Sequence, residues 1–457
     1  MGGYRSVNPW TGDLLATYAE TTDSECEKLL AESQKAQAEW ARRALDDRLR
    51  PLERLNSLLA ERKEDCARMI SSEMGKLITE SEAEVEKCMA LCSYVLDQAQ
   101  AALEDDVIEH GLADVRVRKR PLGLLLGVMP WNFPFWQVFR FAVPNLILGN
   151  GILLKHASKV GGCSLLIESL MNAAGFPVGL YRNIFVAHQQ VQRLLEDPRV
   201  CGLSFTGSES AGRHLASIAG KNLKKQVLEL GGNNALCVLE DADVSKAVEM
   251  AIRARLVNAG QSCIAAKRML VHESLFDAFL MELKSALNDY KVSDPMHRSS
   301  RLAPMVSEQE AKLLERQVEN VLKQGGELIG LLDRRKACFS PCIVKQERWP
   351  VEDVEEELFG PVFLVSAFSK RDDLIQQVNS SSFGLGASLV GEDLGAMRAI
   401  ADRLQEGSVF LNSPVFSDPK IPFGGVKNSG FGRELGQQAF SEFANIQPLV
   451  IFKEKGS

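Results

Sequence analysis

The sequence predicts an α/β protein whose sheets are parallel and doubly wound. Three observations carry this. From Pro121 onward, short apolar runs alternate with stretches of helical periodicity. The runs LGLLLGVMP, GILLK, NIFVA, VCGLSFTG and KQVLEL are almost apolar throughout, as strands covered on both faces are. A second region of the same kind begins near Asn234 and continues to about residue 415, and strand–helix alternation builds parallel sheets. A chain of 457 residues is long enough for two or three such domains.

The elements follow in order. The first hundred residues read as helices. Thr22 to Glu25 (TDSE) forms a capping-box pattern. Cys26, Leu29, Leu30, Ser33, Ala36 and Trp40 then recur at helical spacing and define one buried face. Two longer helices are expected near 48–73 and 79–103. In ADVRVRKR, Val115 and Val117 alternate with charged residues, which predicts a half-exposed strand. Beyond Pro121 the helices between strands are expected near 135–148, 161–174, 188–195 and 208–219. The chain holds no internal repeat of fixed period and no low-complexity segment.

Composition narrows the function. Hydrophobic residues make up 45% and charged residues 25%, ordinary values for a globular enzyme. The net charge of -7 argues against nucleic acid or an anionic membrane as the main partner. No apolar run reaches the ~20 residues of a membrane span, and the first residues show neither the basic n-region nor the apolar h-region expected of a secretory signal. The ten cysteines form no C-x-x-C pair, and the pairs Cys88/Cys92 and Cys338/Cys342 have no histidine nearby. Reduced thiols in a cytoplasmic protein, with no metal, are the expectation.

A doubly wound sheet suggests a nucleotide, yet no G-x-G-x-x-G follows the first strand. The stretch Gly207 to His214 has the glycine spacing of a Walker loop but ends in Arg213 and His214, without the lysine and hydroxyl that ATP chemistry needs. What remains is a strand end, a turn at Gly207 and Ser208, and a helix whose first N–H groups could face a pyrophosphate. A plain βα turn capped by Ser208 is the bland alternative.

Four further stretches stand out. Asn132 lies in the aromatic, proline-bracketed loop MPWNFPFWQ. Glu229 ends an apolar strand in LELGGNN, Cys263 follows a glycine turn in GQSC, and EEELFGPV sets an acidic run before Phe359. Each alone has a bland reading, respectively a turn former, a surface carboxylate, a buried thiol and a solvated face. Together with VNPWTG near the start, FTGS, and PFGGVKNSGFGRE near the end, they occur in the order used by the aldehyde dehydrogenase superfamily. The chain resembles that family over essentially its whole length. Within it, PWNFPFWQVFR, LLKHAS, LKKQVLELGG and FSDPKIPFGGVKNSGFGRE are most similar to succinate-semialdehyde dehydrogenases of the shorter bacterial type.

The resemblance implies a set of roles. Cys263 is the nucleophile that adds to an aldehyde, because a thiohemiacetal can release hydride where the free aldehyde cannot. The Asn132 side chain and the Cys263 N–H stabilise the oxyanion. Glu229 is the general base that activates water against the thioester. Trp131, Glu357 and Phe359 lie around the nicotinamide, Lys155 and Ser158 at the adenine ribose, and Gly207 and Ser208 by the pyrophosphate. NAD-preferring relatives often carry Glu where this chain has Ser158. A serine beside Lys155 admits a 2′-phosphate, so NADP+ is favoured over NAD+. The Lys155-His156 step departs from the commoner Lys-Pro.

Arg140 is singled out by its surroundings. Phe135, Trp136, Phe139, Phe141 and Val143 make an apolar helix on which a guanidinium needs a partner. A substrate carboxylate would serve, with Trp136 on the same face and Ser262 and Ser417 as hydroxyl helpers. The alternative is that Arg140 pairs within the protein. The expected reaction is NAD(P)+-dependent oxidation of succinate semialdehyde. A broader aliphatic or glutarate-semialdehyde enzyme, a CoA-acylating relative and a silent structural homologue are the competing readings. The resemblance also implies three parts: a cofactor domain over 1–107 and 127–234, a catalytic domain over 235–414, and a β bridging segment over 108–126 and 415–457. It further implies a homodimer or homotetramer.

Overall fold

The computed structural model describes residues 3–111, 113–346 and 356–452. Three larger sheets organise it. The first has six strands in the spatial order Gly430–Phe431, Lys225–Glu229, Val200–Thr206, Leu124–Met129, Gly151–His156 and Tyr181–Asn183. All neighbours are parallel except the Gly430–Phe431 edge. Leu124–Met129 is buried along its whole length, as its unbroken apolar run requires.

The second sheet has seven strands in the order Glu327–Ile329, Cys342–Gln346, Val362–Phe368, Arg268–His272, Ala235–Val238, Ala387–Val390 and Val409–Leu411. Only its first edge strand is antiparallel. The third sheet is antiparallel and joins Ala444–Phe452, Ala113–Pro121 and Asp106–His110.

Helix Trp136–Leu148 is buried on every side. Each of its large apolar side chains contributes about 1.5–3 kcal/mol by leaving water. Its N-terminus has no side-chain cap of its own. Glu84, on helix Ile78–Leu103, supplies one: its carboxylate accepts from the Phe135 and Trp136 N–H groups at 2.8 and 3.0 Å. Glu84 is in turn neutralised by buried Lys76 at 2.5 Å. This clamp fixes the loop that carries Asn132. Among the described residues no helix is long and apolar enough to cross a membrane.

The structure departs from the sequence expectations in three places. The first hundred residues are not all helical: Tyr4–Val7 and Leu14–Tyr18 form a hairpin. It is held by Tyr4 and Tyr18 packing on Phe185, 4.8 and 5.0 Å between ring centroids, a contact no local pattern reveals. The helix expected over 48–73 is two helices, Leu45–Glu61 and Lys63–Met74, because Arg62 leaves helical geometry (φ -114°, ψ 22°). The part boundaries also move. Residues 124–126 belong to the central strand of the first sheet, and Gly430–Phe431 adds to that sheet's edge. Asp106–His110 pairs into the third sheet.

Candidate active site

The site lies where the two large sheets meet. The first sheet presents the C-terminal ends of its strands, the usual ligand-binding edge of such a sheet. Leu124–Met129 runs into the Asn132 loop, Gly151–His156 into Ser158, Val200–Thr206 into Gly207, and Lys225–Glu229 ends on Glu229. The second sheet presents the N-terminal ends of its strands. The loop before Arg268–His272 carries Cys263, and the loop before Val362–Phe368 carries Glu357 and Phe359. Contacts across the seam are close. A Cβ on Gly232 would stand 2.7 Å from the Cys263 carbonyl oxygen, and one on Gly231 would stand 2.8 Å from Glu357 Oε2.

Cys263 follows a strained turn. Asn258 and Ala259 adopt left-handed backbone (φ 54° and 53°), and Gly260 continues it at +75°. Each non-glycine residue there costs about 1–2 kcal/mol, so the surrounding bonds must hold it. Asn258 does so by donating to the Asn132 and Gln261 carbonyls at 2.9 and 3.1 Å. The Asn132 amide is oriented from both ends. Its Oδ1 accepts from Gln137 at 2.9 Å, and its Nδ2 donates to the Gln261 carbonyl at 3.1 Å. One N–H of that amide is left over. Burial pushes the Cys263 thiol up to about 11, with Lys267 and Arg140 opposing the shift.

Lys267, four residues after Cys263, has no role that the sequence reveals. Fully buried, it donates to the Ser262 and Cys263 carbonyls at 2.8 and 2.6 Å and pairs with Glu357 at 2.8 Å. It therefore ties the nucleophile's loop to the loop of Phe359. Phe359 meets Trp131 edge to face, 5.8 Å between centroids. Of the acidic run, Glu355 lies outside the described residues, Glu356 is exposed, and Glu357 points inward.

Glu229 is 2% exposed and both of its carboxylate oxygens lack a donor. Burial raises it well above the usual carboxylate range, against the pull of Arg140. The glycine-rich C-terminal motif makes this pocket. Gly430 (φ +111°) turns the chain so that Gly430–Phe431 pairs with Leu228 and Glu229, and a Cβ on Gly424 would stand 2.9 Å from Glu229 Oε1.

Arg140 finds its partner within the protein, the alternative its surroundings allow. It is 3% exposed, its guanidinium contacts the Glu434 carboxylate, and its Nη2 donates to Thr206 Oγ1 at 3.2 Å. It also stacks over Phe423 at 4.8 Å. The partner that burial demands comes from the GFGRE motif, 294 positions away in the chain, so no substrate carboxylate is needed to satisfy it. Burial raises Glu434 as well, opposed first by Arg140.

The other expected substrate residues divide. Trp136 and Ser417 meet: the indole Nε1 donates to Ser417 Oγ at 3.0 Å. The same oxygen accepts from Lys87 at 2.6 Å, a residue with no sequence signal beyond being one lysine on a helix. Ser262 is buried, and its Oγ has no hydrogen-bond partner.

The residues expected at the adenine end stand at the same sheet edge. Ser158 is exposed on a short turn, and Lys155 lies 5.8 Å from the Tyr4 ring centroid. Among the described residues no carboxylate pairs with Lys155, and burial lowers its pKa. Gly207 and Ser208 precede helix Glu209–Lys221, which Ser208 caps by accepting from the Ala211 N–H at 3.5 Å, as a plain βα turn would; the other N–H groups of the first turn have no intrahelical partner. A Cβ on Gly207 would collide with the Phe205 ring at 2.6 Å. A cation without counter-charge and a helix N-terminus on the same sheet edge fit a phosphorylated ribose and a pyrophosphate. His156, at the Lys-His step, has a structural use. It is wholly buried, stays neutral because burial lowers it to about 4, and hydrogen-bonds the Pro134 carbonyl at 2.9 Å. The step thus braces the Asn132 loop.

Comparison with known proteins agrees with this geometry. The sequence profile of the aldehyde dehydrogenase family matches residues 2–449. The chain belongs to that family. Among its relatives, the succinate-semialdehyde dehydrogenase [NADP(+)] of Deinococcus radiodurans is 37% identical over 99% of this chain and 95% of its own length. The succinate semialdehyde dehydrogenase [NAD(P)+] of Escherichia coli is also 37% identical, over 98% of each chain. The solved succinic semialdehyde dehydrogenase of Streptococcus pyogenes, in complex with NADP+, superposes with a TM-score of 0.95 at 33% identity, covering 98% of this chain and all of that one.

Proposed function

We propose that this aldehyde dehydrogenase oxidises succinate semialdehyde to succinate, with NADP+ preferred to NAD+. The observation that carries the reading is the meeting of Cys263, the oriented Asn132 amide and a donor-free buried Glu229 at one seam. The substrate and cofactor are supported by the relatives' names and by the counter-charge missing at Lys155.

In this reading the Cys263 thiolate adds to the aldehyde carbon, forming a C–S bond and an oxyanion. The spare Asn132 N–H and the Cys263 N–H stabilise that oxyanion. A bound NADP+ would supply the hydride acceptor that oxidation of the carbon requires. Cys263 then carries a thioester. Glu229, once ionised, takes a proton from water as the water attacks, and the thiol leaves with the acid released. Lys155 and Ser158 would hold the 2′-phosphate, the Gly207–Ser208 turn the pyrophosphate, and Glu357 the nicotinamide ribose, with Phe359 near the ring and Trp131 also at the cofactor.

The chain is further read as a cytoplasmic homo-oligomer, a dimer or a tetramer. All ten cysteines are free thiols. The third sheet leaves Ile108, Ile451 and Phe452 exposed along strands with open edges, and a neighbouring copy would cover them.

Steady-state kinetics test the reading. With either cofactor, kcat/KM for succinate semialdehyde should exceed that for butanal by about 10- to 100-fold, the worth of one charge-assisted contact. Activity should need no CoA and should vanish in Cys263→Ala. Equal values for the two aldehydes would favour the broad aliphatic reading, and a CoA requirement would favour the acylating one.

A further inference from the structure

Lys87, Trp136 and Ser417 form a corner with more donors than acceptors. The Lys87 ammonium stands 4.3 Å from the Trp136 ring centroid and gives one N–H to Ser417 Oγ. Trp136 Nε1 gives its only N–H to the same oxygen. Both lone pairs of Ser417 Oγ are thus taken, and its own O–H is left to donate. Lys87 keeps N–H bonds with no protein acceptor. Trp136 and Ser417 are buried at 3% and 7% exposure, while Lys87 itself is half-buried, so its ammonium is only partly offset by water.

No carboxylate pairs with Lys87 among the described residues. The charged and titratable groups facing it are otherwise engaged. Glu84, on its own helix, is spent on Lys76 and two backbone N–H groups. Cys88, also on that helix, is buried and its thiol is raised far by desolvation. Arg140, on the helix opposite, contacts Glu434. Asp418, on the loop, accepts from the Lys420 N–H at 2.8 Å and acts on Lys87 only at a distance, without pairing with it. Burial first, then repulsion from Arg140, lowers Lys87 to about 8. Lys76 shows what a purely structural buried lysine looks like here: it has its own glutamate.

The corner adjoins the chemistry. Arg140 acts electrostatically on both the Lys87 ammonium and the Cys263 thiol, so the two lie within reach of one guanidinium. Glu84, three residues before Lys87, clamps the end of the Asn132 loop.

We propose that Lys87 is the specificity-determining residue that seats the far carboxylate of the substrate, with the Ser417 hydroxyl as second donor and Trp136 as the wall. The proposal rests on the substrate being a semialdehyde acid, the reading given above. A carboxylate there completes the corner's hydrogen bonds and neutralises its charge, and an aldehyde without one leaves it open.

The test compares the full-length enzyme with Lys87→Met and Lys87→Arg, using succinate semialdehyde and butanal under saturating NADP+. Lys87→Met should raise KM for the semialdehyde about tenfold or more and leave kcat/KM for butanal within about twofold. Lys87→Arg should recover most of the loss. A second measurement needs no variant: succinate as an inhibitor of butanal oxidation by the unaltered enzyme, from pH 6.5 to 9.5. Inhibition should hold below about pH 8 and weaken by about tenfold per pH unit above it, as the ammonium loses its proton. Equal losses for both aldehydes in Lys87→Met, an unchanged semialdehyde KM, or pH-independent inhibition would overturn the assignment. If the unaltered enzyme itself shows no preference for the semialdehyde, the substrate reading falls first and takes this one with it. A preference that survives Lys87→Met removes Lys87 alone.

Discussion

Helix Trp136–Leu148 meets two cations in two different ways. At Arg140 the charge is closed: Glu434 contacts the guanidinium, Thr206 accepts a hydrogen bond, and Phe423 covers the face. At Trp136 the charge is open: Lys87 finds a hydroxyl and a ring but no carboxylate among the described residues. Arg140 is buried and Lys87 half-buried. Burying an unpaired charge is costly, so a fold normally supplies the partner itself. The closed site does so and needs nothing from outside. The open site leaves room for an anion from a ligand. Lys155 repeats the open pattern at the edge of the first sheet, where a phosphate is the expected guest.

The sharpest test on the closed side is Glu229→Gln. Glu229 lies in the same electrostatic neighbourhood as Arg140 and Glu434 but has no donor of its own. The variant should lose ~100- to 10,000-fold in steady-state turnover with either aldehyde. The first turnover should persist, as a rapid-mixing burst of up to one NADPH per site. The sign of the pH effect follows from burial. A carboxyl raised above its ordinary range is protonated at low pH, so thioester hydrolysis in the unaltered enzyme should speed up as pH rises. The residual turnover of Glu229→Gln should lose that dependence. Full turnover in the variant would remove Glu229 from the reaction.

Glu434→Gln comes next. It strands Arg140 as a buried, unpaired charge and should cost about 3–5 kcal/mol in denaturant unfolding. Adding Arg140→Met should return part of that loss, since the pair is coupled. Activity per folded molecule should fall alike for succinate semialdehyde and butanal. A loss confined to the semialdehyde would reopen Arg140 as an anion site and break the comparison.

The smallest effect is expected at Ser158. Ser158→Glu places a carboxylate near Lys155 and closes that open cation. The ratio of kcat/KM for NADP+ over NAD+ should fall about tenfold or more, because like charges then meet at the 2′ position. An unchanged ratio would show that Ser158 does not face the phosphate.

Much of this was legible in the sequence because it is local. Apolar runs with a period of two or none, helical stripes, and the Thr22–Glu25 capping box each depend on neighbours a few residues apart, and that cap and most of the strands form as expected, although the strand expected at NIFVA lies earlier, at Tyr181–Asn183. Cys263, Glu229 and Asn132 were legible through ordered motifs, each sitting where a strand or turn must end. Partnership was not legible. Whether Arg140 or Lys87 is the free cation depends on Glu434 and Ser417, each about three hundred positions away in the chain. Hydrophobic periodicity says which face of the Trp136 helix is buried, but a helix buried on every side has no face left to read. The folding of the glycine-rich C-terminal motif against Glu229 decides which charges are neutralised, and only the assembled sheets bring it there.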